Sequence, residues 1–379
     1  MLIVTIILLI LMSSLIFEKW LTQKSVNSLQ LRVHVNGTRG KSSVTEYIAA
    51  GLSNTQHDVM AKITGIVPAI IHNGERRSIK RFGVARVQEQ INIIRLASKK
   101  RVKGLVLECM SLAPELQQLE SSVFKPHIYV ITNIKDDHRE EMGKSIEEQA
   151  DSICDAIPMN CTVITNETRF IYKIKEKAQS RNSSVISLQE LGNETYSWLP
   201  DGIFSENVSL ALAVCKTAGI DLKQAEEGIL KYISKSKSPL TVVNYRNEEI
   251  RFLNAFSVND VDSTDYFITG WENKTGHRGK ISLLLNTRAD RPLRTDLFAV
   301  WIAKRNPSID KIIITGDHSH RAKYSLLRAG VDKERIYIWK KKQLINIKRN
   351  LFDIVCHGSL VAGVGNIAGN GFDIINELQ

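Results

Sequence analysis

The sequence predicts an α/β fold built on parallel sheets, and three observations predict it. Short apolar runs alternate with stretches of helical periodicity, which is typical of parallel strands joined by helices on both faces of the sheet. Glycine, acidic and amide residues follow several of these runs, at the strand ends where such sheets bind ligands. The apolar runs pause and restart near residue 238. We therefore expect a larger domain over residues 25–237 and a smaller, Rossmann-like α/β domain over residues 238–379.

The first element along the chain is an apolar segment. Residues 1–17 contain no charged side chain and are mostly aliphatic, and their number is close to that of a membrane-spanning helix. The first basic residues are Lys19 and Lys24, after this segment, so the positive-inside rule places the rest of the chain in the cytoplasm. A small-residue cleavage site is lacking. We interpret residues 1–24 as an uncleaved, single-pass anchor in the cell membrane.

The first predicted strand, residues 32–36, leads into a candidate phosphate-binding loop. The loop brings two glycines, a lysine and hydroxyl residues together, and consists of Gly37, Thr38, Arg39, Gly40, Lys41, Ser42 and Ser43. Glycines let successive N–H groups point at one anion, the lysine adds a positive charge, and Ser42 offers an oxygen to Mg²⁺. A full eight-residue P-loop has glycine where this chain has Val35, so an incidental Gly-Lys-Ser turn is the alternative interpretation.

The next predicted strands carry candidate metal ligands at their ends. Glu108 ends the strand over residues 104–108, and Asp136, Asp137 and His138 follow the strand over residues 127–133. Carboxylate, phosphate and water oxygens are the ligands that Mg²⁺ prefers. The pattern therefore predicts that Ser42, Glu108 and His138 bind Mg²⁺. A further strand over residues 162–166 completes the first series.

The second series predicts a separate sheet. Its apolar runs cover residues 251–256, 281–286, 311–316, 336–339 and 361–366.

Composition limits the functional classes. The 379 residues are 43% hydrophobic and 24% charged, as in an ordinary globular protein, with a formal net charge of +11. A basic chain fits an anionic membrane surface or anionic small molecules and polymers. Basic residues interleaved with aromatics are lacking, so we do not expect nucleic acid as a partner. Five scattered cysteines without a Cys-x-x-Cys pair argue against a thiolate metal site.

These motifs together resemble those of the Mur ligase family, which activates a carboxylate as an acyl phosphate. Residues 37–43 resemble its ATP loop, Glu108 is similar to its magnesium-binding glutamate, and residues 132–138 resemble its Thr-Asn-x-x-x-Asp-His segment. The Asn-x-x-x-Ala helix that begins at Asn207 is similar to the one whose asparagine contacts the nucleotide. The resemblance implies a Mur-ligase-like central ATPase domain, with ATP and Mg²⁺ as cofactors.

A narrower resemblance is to the CapB/PgsB catalytic subunits of membrane-bound poly-γ-glutamate synthases. In it the second domain covers the ATP, with the loops that hold Asp260, Asp262, Arg288 and Arg291 facing the cleft. Asp260 and Asp262 are then expected near the nucleotide. The two arginines are expected to grip carboxylates or phosphates, and surface salt bridges are the alternative.

The resemblance implies an ADP-forming amide ligase that acts on glutamate and a poly-γ-glutamate chain with CapC-like and CapA-like membrane subunits. Lys41, Glu108, His138 and the two arginines would be the catalytic residues. Two departures qualify it. Residues 147–151 offer no lysine to be carbamylated, which leaves the number of Mg²⁺ ions open. The ATP loop also follows the anchor directly, so we expect an acceptor other than a UDP-linked muropeptide. A folylpolyglutamate-synthetase-like ligase and a nucleotide-binding membrane scaffold remain alternatives, and the sequence assigns no oligomeric state.

Overall fold

The computed structural model divides the chain into two compact units. Unit 1 is Met1–Leu199 with Phe204–Ser236, and unit 2 is Pro200–Ile203 with Lys237–Gln379. The predicted domain boundary at residues 237–238 lies outside the described residues. The structure describes residues 2–54, 58–65, 67–81, 83, 85–137, 139–191, 196, 198–200, 202–235, 239–258 and 260–378.

Unit 1 alternates helices and strands in most of its length. Its elements are α1 (Leu2–Asn27), β1 (Leu31–Asn36), α2 (Lys41–Ser53), β2 (Val59–Ile63), β3 (Ala69–His72), β4 (Glu75–Ser78), α3 (Val87–Lys99), β5 (Gly104–Glu108), α4 (Pro114–Phe124), β6 (Ile128–Ile131), α5 (Arg139–Met142), α6 (Ile146–Asp155), β7 (Thr162–Thr165), α7 (Ile171–Ser180), β8 (Ser184–Ser187), α8 (Leu188–Leu191), α9 (Ser205–Thr217) and α10 (Leu222–Ser234).

The sheet of unit 1 has, over the described residues, eight strands in the order β4-β3-β2-β5-β1-β6-β7-β8. Its β2-β5-β1-β6-β7-β8 part is parallel, whereas β2, β3 and β4 pair antiparallel. Strands β1, β5 and β6 lie at the centre, and apart from Leu31 and Arg32 their residues are buried, as expected of parallel strands covered by helices. This confirms the predicted α/β class and brings the ends of β1, β5 and β6 to one edge.

Helix α1 has two halves with different surroundings. Its apolar first half is exposed, and the helix is long and apolar enough to cross a membrane. Its second half packs on α3 and α4, with Thr22 and Val26 buried. Arg95 of α3 fastens this half by donating to the Glu18 carbonyl (3.1 Å) and the Thr22 hydroxyl (2.8 Å). The predicted anchor segment therefore lies in one continuous helix whose second half packs against the other helices of unit 1.

Unit 2 has a second α/β arrangement. Its elements are β9 (Leu240–Tyr245), β10 (Glu248–Asn254), α11 (Val261–Thr275), β11 (Ile281–Thr287), α12 (Pro292–Lys304), a 3-10 turn (Asn306–Ser308), β12 (Ile309–Gly316), α13 (Ser319–Arg328), a 3-10 turn (Lys333–Arg335), β13 (Ile336–Ile338), α14 (Lys341–Leu344), α15 (Ile347–Phe352), β14 (Leu360–Gly365) and α16 (Asn370–Leu378).

The sheet of unit 2 runs in the order β13-β12-β11-β14-β10-β9 over the described residues. Among the strands described in this sheet, only the β9–β10 pair is antiparallel. Its buried apolar side chains form two cores, one on each face, around Phe298 and around Phe252. Buried strands between two helical layers explain the near-continuous apolar runs that predicted this sheet.

Candidate functional site

The phosphate-loop candidate is a tight turn between β1 and α2 that needs its two glycines. Gly37 and Gly40 have φ values of +121° and +80°, in the region that favours glycine. A Cβ on Gly37 would overlap the Thr132 hydroxyl and lie 2.9 Å from the Asn133 carbonyl oxygen. The loop can therefore approach the end of β6 only because residue 37 has no side chain.

The segment after β6 holds the loop in place. The backbone N–H of Thr38 donates to the Asn133 carbonyl (2.8 Å), and that of Arg39 donates to the Asn133 side chain (3.0 Å). The Arg39 guanidinium pairs with Asp137 at 2.9 Å. Two sequence motifs that lie almost a hundred residues apart thus form one structure.

The start of α2 fits an anion. Gly40 is its N-cap residue and provides no side-chain cap, so the first N–H groups of the helix point outward with the positive end of the helix dipole. Lys41 folds over the loop, and its Nζ donates to the Gly37 carbonyl at 2.7 Å. The Thr132 hydroxyl is buried beside the loop without a hydrogen-bond partner in the described structure. These uncommitted donors and the lysine suit phosphate groups.

Ser42 and Glu108 form the centre of the metal-site candidate. The Ser42 hydroxyl lies 3.0 and 2.9 Å from the two carboxylate oxygens of Glu108, and the backbone N–H of Thr64 donates to the same carboxylate at 2.6 Å. Glu108 is 3% exposed. Three oxygens held together beside the phosphate loop match the hard donors of a Mg²⁺ site.

The remaining predicted metal ligand, His138, lies outside the described residues. Its neighbours are described, and Gln149 of α6 reaches them. The Gln149 side chain accepts from the Asp137 backbone N–H at 3.1 Å and donates to Asp136 at 3.3 Å. The α6 residue nearest this segment is therefore a neutral amide, in agreement with the missing lysine noted in the sequence.

Asn207 also comes to the phosphate loop. It lies in the first turn of α9, and its side-chain oxygen would be 2.5 Å from a Cβ on Gly40. Since α9 packs along α2, the two helices keep the asparagine beside the loop. This geometry fits the nucleotide contact that the resemblance implies.

In unit 2 the predicted residues lie after β10 and β11. Asp260 is the N-cap of α11 and accepts from the Ser263 backbone N–H at 2.8 Å, while Asp262 is exposed in the first turn. Arg288 pairs with Asp290 at 2.7 Å, and Arg291 lies 4.0 Å from the same carboxylate. The two arginines therefore share one acidic neighbour, which the salt-bridge alternative predicts.

Sequence reasoning missed the side chains that support Glu108 from behind. Gln90 of α3 and Glu120 of α4 are each 3% exposed and bond the backbone at the end of β5. In α3 the local signal was one polar residue on an otherwise apolar face, but the buried face of α4 also contains Gln117 and Ser121, so Glu120 did not stand out there. Polar helix residues are usually exposed, so the pattern alone did not identify these two.

Both parts of the chain match models of known protein families. The Mur ligase middle domain model matches residues 35–254, more than half of the chain and including the loop, Glu108 and Asn207. The chain belongs to the Mur ligase family. The poly-gamma-glutamate synthase CapB C-terminal domain model matches residues 240–379, so both parts of this Mur ligase have a family match. These matches confirm the resemblance stated from the sequence.

Two relatives of this Mur ligase carry the CapB name. The capsule biosynthesis protein CapB of Bacillus anthracis is 30% identical over 294 residues, which cover 75% of this chain and 63% of that protein. PGA synthase CapB of Bacillus subtilis is 27% identical over 376 residues, which cover 96% of this chain and 94% of that protein. The chain thus spans less than two thirds of the first relative and nearly all of the second.

Solved structures share the Mur ligase fold. The bifunctional folylpolyglutamate synthase/dihydrofolate synthase of Yersinia pestis, complexed with AMPPNP and a Mn ion, has a TM-score of 0.68 at 14% identity, covering 92% of this chain and 90% of that one. FolC of E. coli in complex with ADP has a TM-score of 0.68 at 12% identity, covering 95% and 93%. At these identities the similarity establishes the fold, and it confirms the predicted class.

Proposed function

We propose that this chain is an ATP-dependent carboxylate–amine ligase that forms γ-glutamyl amide bonds in poly-γ-glutamate synthesis, for a capsule or a secreted polymer. The observation that carries the proposal is the contact of the Ser42 hydroxyl with both Glu108 oxygens (3.0 and 2.9 Å) beside an uncapped helix start. The two CapB relatives and the match to the CapB C-terminal domain support the choice of substrate class.

ATP and Mg²⁺ fit the residues of the site. The backbone of residues 37–43 would hold the phosphates, and Asn207 would contact the nucleotide. Ser42 and Glu108 would bind Mg²⁺, with His138 as the further ligand that the sequence motif suggests. When bound, Mg²⁺ offsets the negative charge of the phosphates. The neighbours solved with AMPPNP and Mn, or with ADP, are consistent with this nucleotide and a divalent ion.

The proposed reaction has two steps. A γ-carboxylate of glutamate or of the polymer attacks the γ-phosphate of ATP, the bond from that phosphorus to the bridging oxygen breaks, and ADP leaves. The amine of the next glutamate, in its neutral form, then attacks the acyl carbon, and inorganic phosphate leaves as the amide forms. Lys41 and the first N–H groups of α2 would stabilise the charge that develops on the transferred phosphoryl group.

A basic segment in the chain between Thr64 and Gln90 suits a polyanion. Residues 75–86 contain five basic side chains and one acid. They lie between Thr64 and Gln90 in the chain, and both of these residues bond Glu108. Lys80 and Arg86 are exposed there. We propose that these two cations attract the polyglutamate chain. The exposed lysines of residues 341–342 in unit 2 form a control pair of equal charge.

The residues of unit 2 have a proposed role in substrate binding. Arg288 and Arg291 would bind substrate carboxylates or phosphates in exchange for Asp290, and Asp260 and Asp262 would act near the nucleotide. Exchange of a surface ion pair for a ligand costs little, because such pairs contribute about 0–1 kcal/mol. Single replacements of the two arginines should therefore raise the KM of glutamate or ATP and leave the melting temperature unchanged.

We further propose that α1 crosses the cell membrane once and holds the catalytic body in the cytoplasm, close to an anionic membrane surface. The length and apolarity of α1 support this location, as do Lys19 and Lys24 immediately after its apolar half. CapC-like and CapA-like membrane subunits are the proposed partners, and they rest on the CapB resemblance.

The test is ATP-dependent incorporation of labelled glutamate into a high-mass product. Membranes that contain the full chain and its candidate membrane partners would be compared with membranes containing Lys41→Ala, which should reduce turnover by about 10²-fold or more. Lys341→Ala is the matched control, since this lysine is exposed in unit 2.

Incorporation by the wild type and by Lys341→Ala, but not by Lys41→Ala, would support the polyglutamate ligase. Lys41-dependent ADP release without incorporation would retain an ATP-dependent ligase and reject glutamate, or the assumed partners. Label transferred to an added folate acceptor instead would favour the folylpolyglutamate-synthetase-like alternative. Binding of nucleotide without ADP release would favour the scaffold, and full activity of Lys41→Ala would refute the assignment.

A further inference from the structure

The backbone that carries Glu108 is fixed by two buried side chains. Glu120 of α4 accepts from the backbone N–H groups of Met110 (3.1 Å) and Ser111 (2.9 Å) and from the Ser111 hydroxyl (2.5 Å). Gln90 of α3 donates to the Glu108 carbonyl oxygen at 2.9 Å and to Glu120 at 2.9 Å. The segment from Glu108 to Ser111 is therefore bonded at three of its residues to two helices outside the phosphate loop.

This network is charged and nearly fully bonded, which makes it rigid. Burial raises the pKa of Glu120, but interactions with His34 and hydrogen bonds from Ser111 and Gln90 outweigh burial and lower the pKa to about 2. On the other side, Lys62 donates to the Gln90 oxygen at 2.9 Å. Buried polar networks whose members are all satisfied select one arrangement of the surrounding backbone.

A metal site at the same place is the strongest rival. Ligand atoms of His34, Cys109 and Glu120 lie within 4.8 Å of one another, and all three residues are buried. However, the Glu120 oxygens already accept hydrogen bonds from the backbone, Ser111 and Gln90. Burial also raises the pKa of the Cys109 thiol well above its ordinary value, which disfavours the thiolate that binds metal.

We propose that Gln90 and Glu120 are positioning residues that aim the Glu108 carboxylate at Ser42 and at the bound divalent ion. The proposal rests on the proposed function in one respect, the assignment of Glu108 as a metal ligand. Hydrogen-bond partners behind a metal ligand fix its orientation, and their loss typically weakens metal binding by about 10- to 100-fold.

The experiment measures metal binding directly, besides activity. The full chain, purified in detergent, would be titrated with Mn²⁺ in the presence of a non-hydrolysable ATP analogue, and free Mn²⁺ would be followed by electron paramagnetic resonance. Glu120→Gln keeps the shape of the side chain and removes its charge, and Gln90→Met removes the amide. We expect the Mn²⁺ midpoint to rise about 10- to 100-fold in both variants. The Mg²⁺ midpoint of ADP release should rise in parallel.

Ile94→Ala is the control for a general loss of stability. Ile94 is fully buried in the same helix as Gln90 and belongs to a hydrophobic core cluster. We expect this variant to melt at a lower temperature with an unchanged Mn²⁺ midpoint. If Gln90→Met does not fold, the comparison of Glu120→Gln with Ile94→Ala decides the question.

Each outcome separates this proposal from the proposed function. Unchanged Mn²⁺ midpoints in folded variants, or an equal shift in Ile94→Ala, would overturn the positioning role even if wild-type membranes make polyglutamate. Shifted midpoints in a chain that makes no amide would retain the positioning role and reject the proposed reaction. One zinc per chain, lost in Cys109→Ala, would overturn the proposal in favour of the rival metal site.

Discussion

Replacement of Gly40 by alanine tests how closely Asn207 must approach the phosphate loop. Gly40 and Gly219 have the same positive φ of +80°. For alanine this conformation costs about 1–2 kcal/mol, and the reduced entropy of the unfolded chain returns about 0.4–1 kcal/mol. Each variant should thus lose roughly 1 kcal/mol of stability, and its melting temperature should fall by about 2–4 °C.

The two positions differ in the space around the added methyl group. At residue 40 the Cβ would lie 2.5 Å from the Asn207 side-chain oxygen, whereas at residue 219 no heavy atom lies within 4 Å. Ordinary contact requires about 3.5 Å, so Asn207 or the loop must move by about 1 Å. Displacement of a positioning group by about 1 Å can cost up to about 10²-fold. We expect the Kd for ATP to rise about 10- to 100-fold in Gly40→Ala and to be unchanged in Gly219→Ala.

The assay is a pair of measurements on purified protein, thermal denaturation followed by circular dichroism and equilibrium binding of a fluorescent ATP analogue. Asn207→Ala, alone and combined with Gly40→Ala, completes the series, because it removes the proposed nucleotide contact and, in the double variant, also the clash. If Gly40→Ala binds the analogue as tightly as Gly219→Ala does, Asn207 has no role at the nucleotide and the steric argument is wrong.

The remaining predictions concern the metal site, acid stability and substrate attraction. Ser42→Ala removes the hydroxyl that contacts both Glu108 oxygens, so a Mg²⁺ titration of ADP release should show a midpoint raised about tenfold or more, and an unchanged midpoint would exclude this serine from the metal site. Burial raises the pKa of Glu89, but its hydrogen bonds to two basic partners lower it to about 2. The stabilising effect of ionised Glu89 is therefore present above the ordinary pKa of about 4.5 and is lost as the pH falls towards 2. In Glu89→Gln the free energy of unfolding, measured by urea denaturation at a series of pH values, should fall less steeply over that range than in the wild type. An equal fall in both proteins would contradict this. Lys80→Glu with Arg86→Glu should raise the KM for polyglutamate, but not that for ATP, at low salt and less at high salt. Equal effects from charge reversal of residues 341–342 would show that only net charge matters.

The parts of the fold that sequence predicted are those with a local signal. The run of β5 is apolar on both faces up to Glu108, its last residue, and β1 has valines on one face and leads into the Gly37–Ser43 loop. The antiparallel strand β4 gave no such signal, because it is exposed in all of its residues and reads as a polar loop. It pairs with β3, and β3 pairs with β2, so the position of both strands depends on where β2 joins the sheet beside β5.

The same distinction applies to the site. Ser42 and Glu108 were predicted to act together because Ser42 belongs to the glycine-bracketed loop that follows β1 and Glu108 ends β5, and a parallel sheet brings such strand ends to one edge. Gln90 and Glu120 lie within helices, and their roles depend on which strand each helix covers. Thr64 contributes only its backbone N–H, which no residue type could have indicated.

Helix α1 runs without interruption from Leu2 to Asn27, and its second half is fastened to α3. At about 1.5 Å per residue it is a rod of roughly 39 Å with no hinge between its apolar part and unit 1. A flexible linker would let a tethered enzyme search a wide volume and turn freely. This attachment is rigid, so a bilayer that holds the apolar half also fixes the distance of the phosphate loop from the membrane and its orientation. The membrane subunits proposed above would therefore meet the phosphate loop at one distance from the bilayer and in one orientation.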